Sequence, residues 1–361
     1  MKIILSSDIF ELQRFGGVSR YFVKLAEELQ TTNLCDILVA TKFHLNGYLK
    51  DSSANSGVYL PFSPSQFGLE NMLIRLNKLH ARKLSSNQSF DVLHETFYRG
   101  NADSILAKTR VTTVHDLIRE KFSPKWSGRD AKSKAINRAD AIICVSKTTA
   151  SELGDYYAVE DSRIHVIPHG VDSSFFNEDE SLVRQKSHNS LLYVGSRSEY
   201  KSFKTLVDAF ANSLFLRGNF NVNVVGQYWA REEEDYMREK NVQGCFRYIG
   251  MSEKSLRRAY QDSIALVVTS TYEGFGMTVL EGMASRCVVF STRAGALREI
   301  SGGLDVAFEA KNSDSLAESL ERTLSDSALV NSLQRDAYSY AAQFSWKATA
   351  ERTSELYKSL S

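Results

Sequence analysis

The chain has 361 residues, 43% of them hydrophobic and 24% charged, with 44 Lys and Arg against 43 Asp and Glu. That length and composition fit a globular protein of about two domains, each with its own core, and exclude a low-complexity or fibrous chain. The formal net charge of +1 is split between a slightly basic first half and a slightly acidic second half, which lacks the basic footprint of a nucleic-acid binder.

No uninterrupted apolar window of about 18 residues occurs, so no helical membrane span is expected. The opening run, Lys2 to Ser6, is too short and too soon polar for a signal peptide. Cys35, Cys144, Cys245 and Cys287 lie far apart, mostly in or beside apolar runs, and read as reduced core thiols rather than a disulfide set or a zinc site. A cytoplasmic protein follows as the default.

Short apolar runs alternate with helical segments almost throughout. In the first half, strands are predicted near residues 3–6, 36–40, 58–61, 92–94, 111–115, 141–145 and 165–167. In the second half they fall near 191–195, 221–226, 246–249, 264–269, 288–291 and 306–309. Strands separated by helices imply parallel sheets with right-handed crossovers, so the fold class is α/β. Residues 171–189, rich in Asp, Glu, Ser and Asn, are the expected linker between a domain of residues 1–170 and one of residues 190–343. Residues 344–361 form a last amphipathic helix. No Gly-x-Gly-x-x-Gly follows the first strand and no Walker-type Gly-Lys-Ser/Thr occurs, which weakens dinucleotide and P-loop readings.

Several loops after strands carry chemistry. Arg14-Phe-Gly-Gly-Val-Ser-Arg-Tyr21 runs into a helix, and the pair Gly16 and Gly17 would let backbone amides meet an anion, unless it is an ordinary helix-starting turn. Arg14 and Arg20 could face an anionic acceptor or solvent. His94-Glu-Thr-Phe-Tyr98 follows a buried strand, where a lone His is more often structural. Val111 to Val114 ends in His115 and Asp116, a ligand group and a helix cap, or two satisfied structural residues. Ser146 reads as the N-cap of the next helix.

In the second half, Tyr193-Val-Gly-Ser-Arg-Ser-Glu-Tyr-Lys201 places Arg197 and Lys201 four apart at a helix entrance. Both cations could hold one anion, or the pair could be a solvated basic turn with Lys204 beside it. Phe246 to Ile249 is a strand whose end offers main-chain groups. Ile264 to Thr269, a strand buried on both faces, leads into Ser270-Thr-Tyr-Glu-Gly-Phe-Gly-Met-Thr-Val-Leu-Glu281. Gly274 and Gly276 allow a sharp bend, and the following helix points its N-terminus at the loop, an arrangement suited to a phosphate. Glu273 and Glu281 bracket that point. An anion site between two hydrogen-bond acceptors suits a diphosphate with hydroxyl groups at both ends, as in a nucleotide sugar.

Glu273-x(7)-Glu281 around Gly-Phe-Gly resembles the signature of retaining GT-B glycosyltransferases of family 4, although two glutamates eight apart are alone a common pattern. The resemblance spans nearly the whole chain, with its specific motifs mainly in the second half. It implies two Rossmann-like domains facing across a cleft, with the last helix crossing back to the first domain.

By that resemblance, Arg197 and Lys201 hold the donor diphosphate and neutralise the leaving group. They are aided by the Gly17 backbone, beside Gly16, and by helix amides near Thr278 and Val279. Glu273 accepts from the donor sugar, and Phe275, Gly276 and Met277 offer it backbone N–H groups. Glu281 accepts from the ribose. Ile249 meets the nucleobase through its main chain, and His115 contacts the sugar from the first domain. Arg20, His94 and Tyr98 fall on the acceptor side.

No metal and no cofactor are implied, since fixed cations and dipoles replace the ion and the nucleotide sugar is a substrate. The spelling around Arg197 and Lys201 resembles members that often use GDP-mannose or related nucleotide sugars. The partners implied are a nucleotide diphosphate sugar and a saccharide or lipid-linked acceptor, in lipopolysaccharide, O-antigen or capsule synthesis. The basic amphipathic run from Leu69 to Leu84 could rest on the inner face of a membrane, or be an ordinary packed helix.

Two other classes share the architecture. An epimerase would act on the donor without acceptor, and a phosphorylase would need a pyridoxal-bearing lysine that no pattern indicates. A non-catalytic nucleotide-sugar-binding protein would have no need of Arg197, Lys201, Glu273 and Glu281 together.

Overall fold

A computed structural model describes residues 1–123, 128–176, 187–250 and 252–360. The chain divides into two compact units, Met1–Gly170 with Trp346–Ser361, and Val171–Ser345.

In the first unit, six strands form one parallel sheet: β1 (Lys2–Leu5), β2 (Asp36–Val39), β5 (Val92–Glu95), β6 (Thr109–Val114), β7 (Ala141–Cys144) and β8 (Ile164–Val166), in the order β2-β1-β5-β6-β7-β8. Ile3, Ile4 and Leu5 are consecutive and all fully buried, as are Ala141 to Cys144. Successive side chains on a strand point to opposite faces, so both faces of the sheet are covered, as parallel crossovers require. The run expected at residues 58–61 joins no main sheet. As β4 (Val58–Tyr59) it pairs only with β3 (Phe43–His44), a two-residue strand too short to leave a periodic trace.

The last helix, Trp346–Ser359, belongs to this unit. It packs on the helix Gly17–Thr31, buries Tyr357 and sets the Tyr357 hydroxyl 2.6 Å from His94 Nδ1. The helix Glu70–Asn87 buries Leu73, Asn77, Ala81 and Ser85 at a spacing of four, while Met72 and Leu79 stay more than half exposed beside Arg75, Arg82 and Lys83. Among the described residues no helix is long and apolar enough to cross a membrane.

The second unit holds β9 (Ser187–Val194), β10 (Asn221–Val225), β11 (Phe246–Ile249), β12 (Ser263–Val268), β13 (Val288–Ser291) and β14 (Val306–Ala307), again all parallel, in the order β11-β10-β9-β12-β13-β14. The chain starts at the centre with β9, builds outward to β11, then returns to the other side of β9 with β12. The loops after β9 and β12 therefore diverge at a topological switch point, where open α/β sheets bind ligands. Leu206, Phe210, Leu266 and Phe290 are fully buried in the unit, each contributing roughly 1.5–3 kcal/mol of burial.

Of the expected linker, residues 177–186 lie outside the described residues. Its two ends belong to the second unit: Phe175 packs edge-on against Tyr260, and β9 begins at Ser187, earlier than the apolar run suggests.

The first unit also buries imidazoles. Burial lowers His94 to about 3, helped by the charge of His115, and lowers His115 to about 3, helped by Lys132. Burial, with His115 and Arg20, holds His169 well below the usual value. These groups charge more readily in the unfolded chain, so below an unfolded pKa of about 6.5 each removes stability as pH falls. Burial raises Asp8 to about 7 and also raises Glu11, and these oppose the trend, because the folded state then holds the extra proton. His44, His80 and His165 are lowered in the same direction, so the histidines outnumber the two carboxyls and the net effect is a loss of stability as pH falls below about 6.5. Calorimetry should show the transition of this unit falling by several degrees between pH 6.5 and 5. A midpoint that held or rose on acidification would refute the balance.

Candidate donor site at the switch point

After Val194, Gly195 turns the chain and its amide donates to the Val225 carbonyl at 3.0 Å. The next turn brings Lys201 beside the loop that follows β12. Three bonds stitch the two loops: Thr271 N to Tyr200 O at 2.7 Å, Thr271 Oγ1 to Tyr200 O at 3.0 Å, and Thr269 Oγ1 to Lys201 O at 2.6 Å. Fixed in this way, Lys201 Nζ lies 2.5 Å from Glu273 Oε1. Ser270 Oγ donates to the same oxygen at 2.6 Å. Both bonds use Glu273 Oε1 rather than Oε2.

The Glu273 loop is held from behind by Gly295. Its φ is +61°, and a Cβ there would meet Glu273 O at 2.4 Å and Glu273 N at 2.9 Å. The Ala296 amide then donates to Glu273 O at 2.9 Å. At the other end of the loop Gly276 has φ +98° and caps the helix Met277–Ala284. That conformation suits glycine, and it aims the helix start at the turn. Met277 and Thr278 open the helix, so their amides have no intrahelical partner by position. The Val279 amide, expected at the phosphate, donates instead to Gly276 O at 2.9 Å. It is therefore committed to the turn. Phe275 is buried.

Glu281, one turn into the helix, is 4% exposed, and its Oε2 accepts from the Tyr260 hydroxyl at 2.8 Å. Ile249 ends β11 in the same row as Val225 and Val194, so its main chain lies at the carboxyl end of the sheet with the other loops.

Arg197 is not paired directly with Glu273. Its Nε donates to Glu233 at 2.7 Å, its Nη2 to the Tyr228 carbonyl at 2.9 Å, and its guanidinium lies 4.9 Å from the Trp229 ring centre. The Nη1 atom is shielded from solvent and has no hydrogen-bond partner. The stated contacts thus join Lys201 to Glu273, Arg197 to the loop after β10, and Glu281 to the helix Glu253–Asp262. Sequence reasoning missed the roles of Ser270, within the Glu273 loop itself, and of Tyr260, Glu233, Trp229 and Gly295, which orient these groups from other elements. The usable trace was Gly295, in a loop directly after β13.

The first unit carries the remaining candidates. Gly16 precedes the helix Gly17–Thr31 in an extended conformation, and Gln13 Oε1 accepts from the Ser19 amide at 3.1 Å, capping that helix from a side chain. His115 follows β6. Both its ring nitrogens are shielded from solvent and lack partners, although its ring packs on Tyr21 at 5.1 Å. Its neutral imidazole can donate at one nitrogen and accept at the other. Asp116 Oδ1 accepts from the Ile118 amide at 3.0 Å across the turn into the helix Ile118–Phe122, whose N-cap is Leu117. Arg20 is half-buried near His169.

Two acceptor-side expectations change. His94 is fully buried, and its nitrogens meet the hydroxyls of Tyr357 and Thr113 at 2.6 and 2.7 Å, so it is a core residue. Tyr98 donates to the Thr113 carbonyl at 3.0 Å, and its ring lies 5.5 Å from Lys132 Nζ. Its hydroxyl is thereby committed within the unit. Among the described residues no group of His, Cys, Asp and Glu could hold a metal ion.

Comparison with known proteins matches residues 15–175 to the model "Glycosyltransferase Family 4" and residues 174–343 to "Glycosyl transferases group 1". An uncharacterized glycosyltransferase of Methanocaldococcus jannaschii is 25% identical, over 100% of this chain and 99% of its own. The MMP alpha-(1->4)-mannosyltransferase of Mycolicibacterium hassiacum is 27% identical, over 77% of this chain and 73% of its own. The crystal structure of HepE of Anabaena in complex with UDP-glucose superposes with a TM-score of 0.78 at 17% identity, over 99% of this chain and 100% of that one. With both units matched and the fold shared end to end, the chain belongs to the GT-B glycosyltransferases, with a family 4 first domain and a group 1 second domain.

Proposed function

We propose that the protein is a retaining, metal-independent hexosyltransferase. It moves a sugar from a nucleotide diphosphate sugar to a hydroxyl of a saccharide or lipid-linked acceptor, and GDP-mannose is the first donor to test. The observation that carries this reading is the Lys201–Glu273 pair at 2.5 Å, stitched into the switch point beside the start of the helix Met277–Ala284. A relative named as a mannosyltransferase supports the choice of mannose.

In this reading the bond from the anomeric carbon to the phosphate oxygen breaks, with its electron pair passing to the diphosphate. Lys201, the Arg197 Nη1 edge and the amides of Met277 and Thr278 stabilise the charge that develops there. Glu273 Oε2 accepts from sugar hydroxyls, and Glu281, oriented by Tyr260, accepts from the ribose. The acceptor oxygen bonds on the face the phosphate leaves, and its proton passes to the departing phosphate oxygen. Fixed cations and amides hold the charge, and no ion is invoked. In the first unit, His115 and the turn at Gly16 and Gly17 are proposed ligand contacts.

The test is release of nucleotide diphosphate from GDP-, UDP-, ADP- and dTDP-sugars, with and without saccharide acceptors, and NMR assignment of the anomeric configuration of any product. Slow hydrolysis of one donor, accelerated by acceptor and giving retained stereochemistry, is expected. Inverted product would refute the mechanism, and an altered free donor sugar would indicate epimerisation.

A further inference from the structure

A cavity of about 360 Å³ opens on the first unit, with Arg14 on its wall. Two polar groups on its wall are held in place yet incomplete. Glu11 is 5% exposed, and its Oε1 accepts from Ser7 Oγ at 2.7 Å, Asn77 Nδ2 at 2.6 Å and Asn101 Nδ2 at 2.8 Å. Its Oε2 is shielded from solvent and has no partner. Arg99 is anchored through Nη2 to Glu70 Oε1 at 2.5 Å, while its Nη1 is equally shielded and without a partner. The two groups are close enough for the Arg99 charge to act on the Glu11 carboxyl. Leaving a buried acceptor and a buried donor unmet is destabilising, so such a pair in one cavity marks a site completed by a ligand.

We infer that this cavity is a subsite for a sugar ring of the acceptor, with Glu11 and Arg99 reading neighbouring hydroxyls. A hydroxyl both donates and accepts, so a vicinal diol can donate to Glu11 Oε2 and accept from Arg99 Nη1. Leu60, Phe62 and Ile74 supply the apolar side that meets the C–H face of a ring, and Phe62 is 40% exposed, open to such a contact. The volume lies in the range of small-molecule sites. The wall sets Glu11 and Glu70 against Arg14 and Arg99, so it carries no excess of positive charge for a bare phosphate, and an acyl chain would leave both polar atoms unmet. The assignment rests on the proposed transfer reaction, because it supplies the acceptor half of that reaction.

Saturation-transfer NMR of the full chain with millimolar methyl glycosides of glucose, mannose, galactose and N-acetylglucosamine tests the cavity without any donor. At least one should bind. Glu11→Gln keeps an oxygen for Ser7, Asn77 and Asn101 but puts an amide donor where Oε2 accepted, so binding should weaken by about tenfold or more. Ser65→Trp, on an exposed turn at the cavity mouth, should block binding by bulk and leave donor hydrolysis as it was. It also carries the test if the Glu11 variant does not fold. No glycoside bound by the wild-type chain, or binding unchanged in both variants, would overturn the inference. Donor hydrolysis absent from the wild-type chain would instead refute the transfer reaction, while the NMR result would still report on the cavity.

Discussion

Lys201→Ala is expected to lower donor turnover by about 10²–10³-fold, the usual cost of removing one preorganised group from a developing oxyanion. The ammonium is held by the backbone stitch between Tyr200 and Thr271 and by Thr269 on its own carbonyl, so a neighbouring side chain cannot easily replace it. The loss should fall on kcat more than on KM, because the charge on the diphosphate grows as the bond breaks. The substitution also strips Glu273 of its cation and leaves the carboxylate facing Ser270 alone. Thermal denaturation of Lys201→Ala beside Lys201→Ala/Glu273→Gln separates that effect: the double variant should regain stability and stay inactive. Near-normal turnover in a folded Lys201→Ala protein would show that the ion pair is structural only.

Arg197→Lys should cost roughly 10- to 100-fold in kcat/KM, even though charge is kept. A guanidinium can hold Glu233 through Nε, the Tyr228 carbonyl through Nη2 and the Trp229 face, and still offer Nη1; an ammonium cannot reproduce that fork. Loss of stability accompanies the change, since Glu233 also accepts from the Ala230 amide to start its helix and would lose its partner. The two roles separate in the kinetics. A ligand-facing Nη1 predicts weaker binding of nucleotide diphosphate by the folded variant, whereas a purely structural Arg197 predicts a lower melting temperature with unchanged kcat/KM.

The fold was legible because its strands are buried on both faces. Runs such as Ile142-Ile143-Cys144 and Leu266-Val267-Val268 allow little else, and the observed strands fall within a few residues of those runs. The two-residue strand Phe43–His44 was not legible, because two residues have no period. At the site, glycines and charged residues next to strand ends gave Lys201, Glu273 and Gly276 their positions. Their supports were hidden for a physical reason. Tyr260, Glu233 and Gly295 come from elements distant in sequence, and only the sheet order brings them beside Glu281, Arg197 and Glu273. His94 shows the reverse case: it follows the pattern of a strand-end ligand, yet the last helix, more than 250 residues away, covers it and takes up its Nδ1.

The claim on which the rest depends is that the second unit binds a nucleotide sugar between Lys201 and Glu281. Isothermal titration of GDP-, UDP-, ADP- and dTDP-sugars into the wild-type chain and into Glu281→Ala tests it most directly. One donor should bind the wild-type chain at micromolar to millimolar concentration, and its affinity should fall by at least about tenfold in the variant. Binding of no donor, or equal binding by both proteins, would contradict the account and leave the glutamate pair a structural feature of the turn.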